Sequence, residues 1–142
     1  MWRTGALALL SSLAPVIGHS QTEEEKVQIA VNAAGGVENL LQMSVKDVAA
    51  SLPRQVAPNM QLLSASTSGR KAKYVTVFLN VPSKSKFKLT ELRLVAGNQA
   101  VCQSTAGILI RDFDAEVEYE YRAANGEVVF IQTISRATCT VK

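Results

Sequence analysis

The chain has 142 residues, of which 47% are hydrophobic and 19% are charged, and its formal net charge is +3. This length and composition are typical of one globular domain and exclude a disordered or fibrous chain. The small excess of positive charge does not provide the concentrated basic face that a nucleic-acid partner usually requires. We therefore expect one compact core and no nucleic-acid partner.

Residues 1–20 have the pattern of a secretory signal peptide. Arg3 is a short basic region, a mostly apolar stretch follows, and small residues precede a cleavage point after Ser20. An N-terminal anchor helix is the alternative. It is disfavoured because the apolar stretch is shorter than the roughly 20 residues of a membrane span and Pro15 interrupts it. We expect residues 21–142 to form a single secreted or periplasmic domain that has no transmembrane segment once the signal peptide is removed.

Removal of this leader would change the chemistry that the chain can perform. The only histidine, His19, lies within it, so the mature chain would lack Ser-His-Asp and Cys-His catalysis and histidine-based zinc sites. In an oxidising exported compartment we expect Cys102 and Cys139 to form one disulfide. A redox-active pair is disfavoured, because such pairs usually occur as a close C-x-x-C. We predict no catalytic residue, no metal site and no cofactor.

The first half of the mature chain predicts two helices and a hairpin. Thr22 and Glu25 have the spacing of a capping box, which predicts a short helix. Apolar residues then recur at i, i+3 and i+4 across residues 37–52, the pattern of an amphipathic helix. Residues 60–67 and 72–79 are separated by a short glycine-containing gap, and the β-branched and aromatic content of the second run predicts a β-hairpin.

Residues 84–103 carry two conflicting patterns. Three lysines alternate with other residues at the period of a strand, but the apolar residues that follow repeat at the period of a helix. We predict a helix from about Ser85 to Asn98, because a further helix is needed to cover the sheet, and a strand over residues 84–95 is the alternative. Ser104 is expected to cap one more helical turn over residues 105–110.

The end of the chain predicts a second hairpin around the turn dipeptide Asn125-Gly126. One face of this hairpin is aromatic and aliphatic and should meet the helices. The other face carries glutamates, which should face solvent because burying carboxylates without partners is costly. A two-residue turn pairs Tyr121 with Phe130, Tyr119 with Gln132 and Val117 with Ile134.

The predicted elements follow one another as helix, hairpin, helix and hairpin. This order predicts an α+β fold, in which an antiparallel sheet of about four strands packs against two or three helices. One disulfide would join the end of a helix to the end of the last hairpin.

The last forty residues contain a Cys…Tyr-x-Tyr…Gly…Cys ending. It consists of Cys102, a Leu109-Ile110 turn, Tyr119-Glu120-Tyr121, Asn125-Gly126-Glu127 and Cys139. This ending resembles that of small exported bacterial α+β proteins of uncharacterised function. The resemblance implies an exported α+β fold and assigns no catalytic residue.

Two concentrations of charge are the candidate binding surfaces. Paired carboxylates can hydrolyse glycosides or bind a cation, but carboxylates that alternate along one strand lie side by side, which favours a solvated face. A basic surface is either a solvated end of the domain or a binding site for an acidic protein, polysaccharide or lipid head group. The acidic surface consists of Glu116, Glu118 and Glu120, and the basic surface of Arg70, Lys71, Lys73, Lys84, Lys86 and Lys88.

These patterns favour a non-enzymatic protein that binds another macromolecule at the cell envelope, as an accessory or an inhibitor. Its partner would be a protein or an envelope polymer. One alternative is a small carboxylate-dependent enzyme acting on glycans through Glu116, Glu118 and Glu120. The other is a carrier that holds a small ligand between the helices and the sheet.

Overall fold

A computed structural model describes residues 21–88 and 98–139. The predicted signal peptide and most of the helix predicted from Ser85 to Asn98 lie outside the described residues. Within them the helices are α1 (Glu23–Ala34), α2 (Val37–Ala49), α3 (Asn98–Cys102), α4 (Thr105–Phe113) and α5 (Arg136–Cys139), and the strands are β1 (Arg54–Ala57), β2 (Met60–Ser68), β3 (Lys71–Phe78), β4 (Glu116–Ala123) and β5 (Val128–Ile134).

The N-terminus of α1 has the predicted capping box. Thr22 Oγ1 accepts a hydrogen bond from the Glu25 amide at 3.1 Å, and Glu25 Oε1 accepts one from the Thr22 amide at 3.0 Å. These bonds satisfy amide groups that the first helical turn leaves without helical partners. At the other end of α1, Gly35 has a φ of 87°, a left-handed conformation that glycine adopts without steric cost, and the chain turns there into α2.

The strands form one sheet in the order β1-β2-β3-β4-β5. Both predicted hairpins are present, as the antiparallel pairs β2–β3 and β4–β5, and parallel pairing of β3 with β4 joins them side by side. A parallel pair needs a crossover connection, and this one contains α3 and α4. β1 adds a fifth strand, antiparallel to β2. The α+β fold class is confirmed, with a sheet that is mixed at its centre.

The β4–β5 register agrees with the prediction, although the turn does not. Tyr121 pairs with Phe130 as predicted, but the Ala123 amide donates to the Glu127 carbonyl at 2.8 Å, so three residues form the loop. A bulge opposite Tyr121 and Arg122 adds one residue to β5 and restores the predicted register beyond it. The pairs Tyr119–Gln132 and Val117–Ile134 are also confirmed.

The chain after β3 differs from the predicted helix where it is described. Lys84–Lys86 form a single 3-10 turn, and Phe87 is extended with φ −72° and ψ 130°. The ring of Phe87 packs 5.7 Å from that of Phe78 in the core, and this contact holds the chain in an extended form. A helix that begins at Ser85 is therefore wrong for these residues. The predicted turn over residues 105–110 is present and extends to a full helix, α4.

The helices cover one face of the sheet. Leu41 of α2 and Ile110 of α4 pack with Val117 of β4 and Ile134 of β5 in one buried cluster. The apolar face of the last hairpin therefore meets the helices, as predicted. Because side chains alternate along a strand, the glutamates of β4 project from the opposite face, which we call the open face.

The predicted disulfide between Cys102 and Cys139 is present, with a Cα–Cα distance of 5.3 Å. It joins the end of α3 to the end of α5, beside the cluster that the helices form with the sheet. Arg111 Nη1 donates to the Cys102 carbonyl, and Arg136 Nε donates to the Arg111 carbonyl at 3.0 Å. A Cβ atom on Gly107 would lie 1.9 Å from the Cys102 carbonyl oxygen, so the α3–α4 junction requires glycine there.

Candidate functional site

The open face carries charged side chains on its two central strands. Parallel pairing places Lys71 opposite Glu116 and Lys73 opposite Glu118. Because the residues of a parallel pair that lie opposite one another project from the same face, lysines of β3 and glutamates of β4 stand side by side. The candidate acidic surface and two of the six residues of the candidate basic surface, Lys71 and Lys73, therefore meet on one face.

Ion pairs connect five of these side chains, which we call the charged ladder. Lys71 Nζ lies 2.7 Å from Glu118 Oε1, and Lys73 Nζ lies 3.6 Å from Glu118 Oε2. Lys73 Nζ is also 3.3 Å from Glu120 Oε1, while Arg122 Nη2 is 2.5 Å from Glu120 Oε2. The three cations are 38–40% exposed, but the Glu120 side chain is only 8% exposed.

The ladder lowers the pKa values of its carboxylates. The hydrogen bond from Lys71 holds the pKa of Glu118 below its ordinary value, and the same bond raises the pKa of Lys71. Burial raises the pKa of Glu120, but hydrogen bonds from Arg122 and Lys73 outweigh burial, so the pKa of this carboxyl is also lowered. Both carboxylates are consequently charged at neutral pH.

The expectation that the glutamates face open solvent is wrong for Glu120. Its burial is tolerated because Arg122 and Lys73 supply partners, which offsets the cost of removing the carboxylate from water. The predicted glycan-acting enzyme gains no support from this arrangement. A glycosidase needs one carboxyl group with a raised pKa as its general acid, and the pKa values of both Glu118 and Glu120 are lowered.

The candidate basic surface is divided between the two ends of β3. Arg70 lies in the β2–β3 turn, and its Nη1 donates to the Phe113 carbonyl at 3.2 Å. The lysine-rich turn lies at the other end, where the Lys84 amide donates to Glu127 Oε1 at 3.2 Å. An eight-residue strand separates these ends by about 26 Å. Lys84, Lys86 and Lys88 are all exposed.

The aromatic residues of β3, β4 and β5 belong to the core. The rings of Tyr74 and Tyr119 stack at 5.6 Å, and those of Tyr121 and Phe130 at 5.9 Å. Burial raises the pKa of Tyr119 to about 12, with a smaller contribution from Tyr74. These tyrosines are therefore neutral packing groups between the sheet and the helices.

A cleft of about 250 Å³ opens where β3 and β4 begin. It lies at the end of the sheet, away from the space between helices and sheet in which the ligand carrier was predicted to hold its ligand. Among the described residues, no three metal-ligating side chains are grouped to hold an ion, and none of the helices there is long and apolar enough to cross a membrane. The lining of the cleft carries both signs of charge and consists of Arg70, Lys71, Asp114, Ala115, Glu116 and Ser135.

The fold of the chain resembles that of two bacterial pilotins. EpsS, a type II secretion pilotin from Vibrio vulnificus, has a TM-score of 0.53 and 16% identity over 84% of this chain and 97% of its own. AspS, the corresponding pilotin from Vibrio cholerae, has a TM-score of 0.54 and 18% identity over 72% of this chain and 92% of its own.

A third solved structure, a candidate secreted protein from Pseudomonas aeruginosa, has a TM-score of 0.56 and 11% identity over 85% of this chain and 99% of its own. No protein-family model and no curated protein sequence matches the chain. At these identities the similarity establishes the fold alone. The similarity covers 92% or more of each matched protein and 72–85% of this chain.

Sequence reasoning missed the contact between the two charge concentrations. Lysines at 71 and 73 and glutamates at 116 and 118 alternate with the same period, which is the signal that could have revealed it. Treating the hairpins as separate units concealed this match, because the pairing of β3 with β4 joins residues that are 45 positions apart.

Proposed function

We propose that this chain is an exported, non-enzymatic accessory protein of the bacterial cell envelope that binds a protein partner within a type II secretion assembly. The observation that carries the proposal is the fold shared with two type II secretion pilotins over 92% or more of each pilotin. The predicted signal peptide supports export, and the disulfide suits an oxidising compartment.

The charges of the domain favour a protein partner over a polymer bound by charge alone. The ladder pairs Lys71 and Lys73 with glutamates, so these lysines are not available as an uncompensated basic patch. The other lysines of the candidate basic surface, Lys84, Lys86 and Lys88, lie in or directly after the turn Lys84–Lys86. The described part of the surface carries both signs of charge and no extended basic face, which suits a specific protein contact, since a polyanion requires a concentration of like charge.

Two measurements test this proposal. The tagged full chain, produced in a bacterium with a type II secretion system, should appear in the exported fraction with the mass of residues 21–142. Crosslinking and affinity purification from that fraction should repeatedly recover a component of the secretion apparatus, whereas an unrelated exported protein of similar size, produced at the same level, should not recover it.

Two results would overturn the proposal. One is retention of the protein in the cytoplasm with residues 1–20 still attached. The other is repeated recovery of no secretion component by a protein whose circular dichroism and oxidised Cys102–Cys139 bond show that it is folded. The second result refutes the partner while leaving export intact.

A further inference from the structure

The two edges of the sheet are protected to very different degrees. Edge strands expose unpaired backbone groups, and natural proteins usually protect them with short length, charge, proline or a bulge. β1 has all four features. It is four residues long, carries Arg54, lies between Pro53 and Pro58, and has an irregularity between Gln55 and Ala57.

The opposite edge strand, β5, has little of this protection. It is seven residues long, and its sequence VVFIQTI contains no charged residue, no proline and no glycine. Its single bulge lies near the turn, so the strand is regular from Phe130 onward. Ile131 is 51% exposed and Val128 is 38% exposed. Among the described residues β5 pairs only with β4, so no described strand lies on its outer side.

We propose that the outer edge of β5 binds an extended segment of a partner protein, which adds to the sheet as a further strand. Main-chain hydrogen bonds would supply affinity, and alternate side chains would supply selectivity, as in other cases of strand addition. The proposal rests on the proposed function in one respect, because it names the surface through which the accessory protein holds its partner.

The size of the edge favours an extended segment over a second copy of this domain. A seven-residue strand is about 23 Å long and a sheet is about 10 Å thick, so edge-to-edge contact buries roughly 230 Å² on each side. Two folded domains need about 1,000 Å² in total for a specific interface. A flexible segment avoids this limit, since it can also lay its side chains over both faces beside β5.

The surroundings of β5 define the chemistry of that segment. Ile131 lies opposite Glu120 of β4, and Glu120 is already bonded to Arg122 and Lys73. A partner strand beside Ile131 would therefore meet an apolar side chain and a neutralised charge pair. The best occupant is an uncharged segment with β-branched or aromatic residues at alternate positions, because a charge there would lose water without gaining a partner.

A defined set of peptides tests the edge directly. The probes are fluorescein-labelled eight-residue peptides in which valine or isoleucine alternates with threonine or serine. Fluorescence anisotropy measures their binding to the disulfide-bonded domain, and hydrogen exchange reports which backbone amides they protect. Each peptide has a matched form that is N-methylated at alternate amides, which keeps the side chains but removes the donors that a strand needs.

The matched protein variants are Ile131→Lys and Val56→Lys. Both replace an apolar side chain on an edge strand, and the wild-type side chains are similarly exposed, at 51% and 48%. Lysine at position 131 should weaken binding by about tenfold or more, since it removes an apolar contact and places a charge in the edge. Lysine at position 56 should leave binding unchanged. Thermal unfolding confirms that both variants fold.

The proposal is supported if a peptide binds and protects β5 amides. N-methylation of the peptide should then abolish this binding, and Ile131→Lys should weaken it while Val56→Lys does not. The proposal is overturned if no peptide binds up to about 1 mM, if Ile131→Lys binds as well as the wild type, or if sedimentation shows that a second copy occupies β5. A secretion partner that still binds Ile131→Lys would refute the edge and leave the proposed function standing. Peptide binding to β5 without recovery of any secretion partner would support the edge and refute the proposed function.

Discussion

Replacing Glu120 with glutamine should lower the free energy of unfolding by about 1–2 kcal/mol. Glu120 Oε2 accepts a hydrogen bond from Arg122 Nε at 2.6 Å, and Oε1 lies 3.3 Å from Lys73 Nζ. A hydrogen bond to a charged group contributes about 1.5–3 kcal/mol, but both cations are more than a third exposed and would regain water in the variant. We therefore expect roughly a third of the value summed over the two bonds. Urea unfolding at pH 7, followed by circular dichroism, measures the change.

Asp47→Asn is the matched control. It makes the same change of charge at an exposed position in the last turn of α2, and its effect should stay within about 0.5 kcal/mol. At a pH well below the lowered pKa of Glu120, the wild-type carboxyl is itself neutral, so the difference between wild type and Glu120→Gln should largely disappear. An equal loss at pH 7 and at low pH would show that packing, and not the ladder, is responsible. No loss at pH 7 would show that the ladder contributes nothing.

Three further changes test other parts of the fold. Because the folded-state pKa values of Glu118 and Glu120 lie below the ordinary 4.5, their contribution to stability is present above pH 4.5 and is lost as the pH falls. The free energy of unfolding should therefore fall less steeply with decreasing pH in Glu118→Gln/Glu120→Gln than in the wild type. The same pH dependence in both proteins would contradict this assignment. Cys102→Ser/Cys139→Ser opens a loop of 37 positions and should cost roughly 4 kcal/mol in urea unfolding, whereas a loss below about 1 kcal/mol would exclude a structural role. Gly107→Ala should cost about 2 kcal/mol despite the better helix propensity of alanine, because its Cβ would collide with the Cys102 carbonyl, and a gain in stability would refute that contact.

The local elements of this fold could be predicted from sequence because neighbouring residues determine them. The capping box at Thr22 needs only Glu25 three residues later, and the apolar spacing of α2 needs only its own helical turns. The β4–β5 register was likewise predicted, but from a two-residue turn, whereas the loop has three residues. The apolar face of Val117, Tyr119 and Tyr121 independently excludes a shift by a single residue. The bulge that restores this register was not predicted.

The central parallel pair could not be predicted in the same way. Nothing in the local sequence of β3 requires β4 as its neighbour, because the crossover that joins them also contains α3 and α4. The wrong expectation that Glu120 faces solvent follows from the missing β3–β4 pairing. The cost of burying a carboxylate without partners was judged correctly, but its partner Lys73 lies on a strand that the prediction had assigned to a separate hairpin.

The ladder and the β5 edge should therefore make separable contributions. Charges that are already paired give a partner little to recognise, so neutralising Glu120 should weaken the fold while leaving peptide binding to the folded domain intact. Ile131 is half exposed and outside the buried clusters, so Ile131→Lys should weaken peptide binding while leaving the stability of the fold intact. If Glu120→Gln also abolished peptide binding at a pH where it remains folded, recognition would involve the charged face, and the uncharged segment assigned to β5 would be the wrong partner.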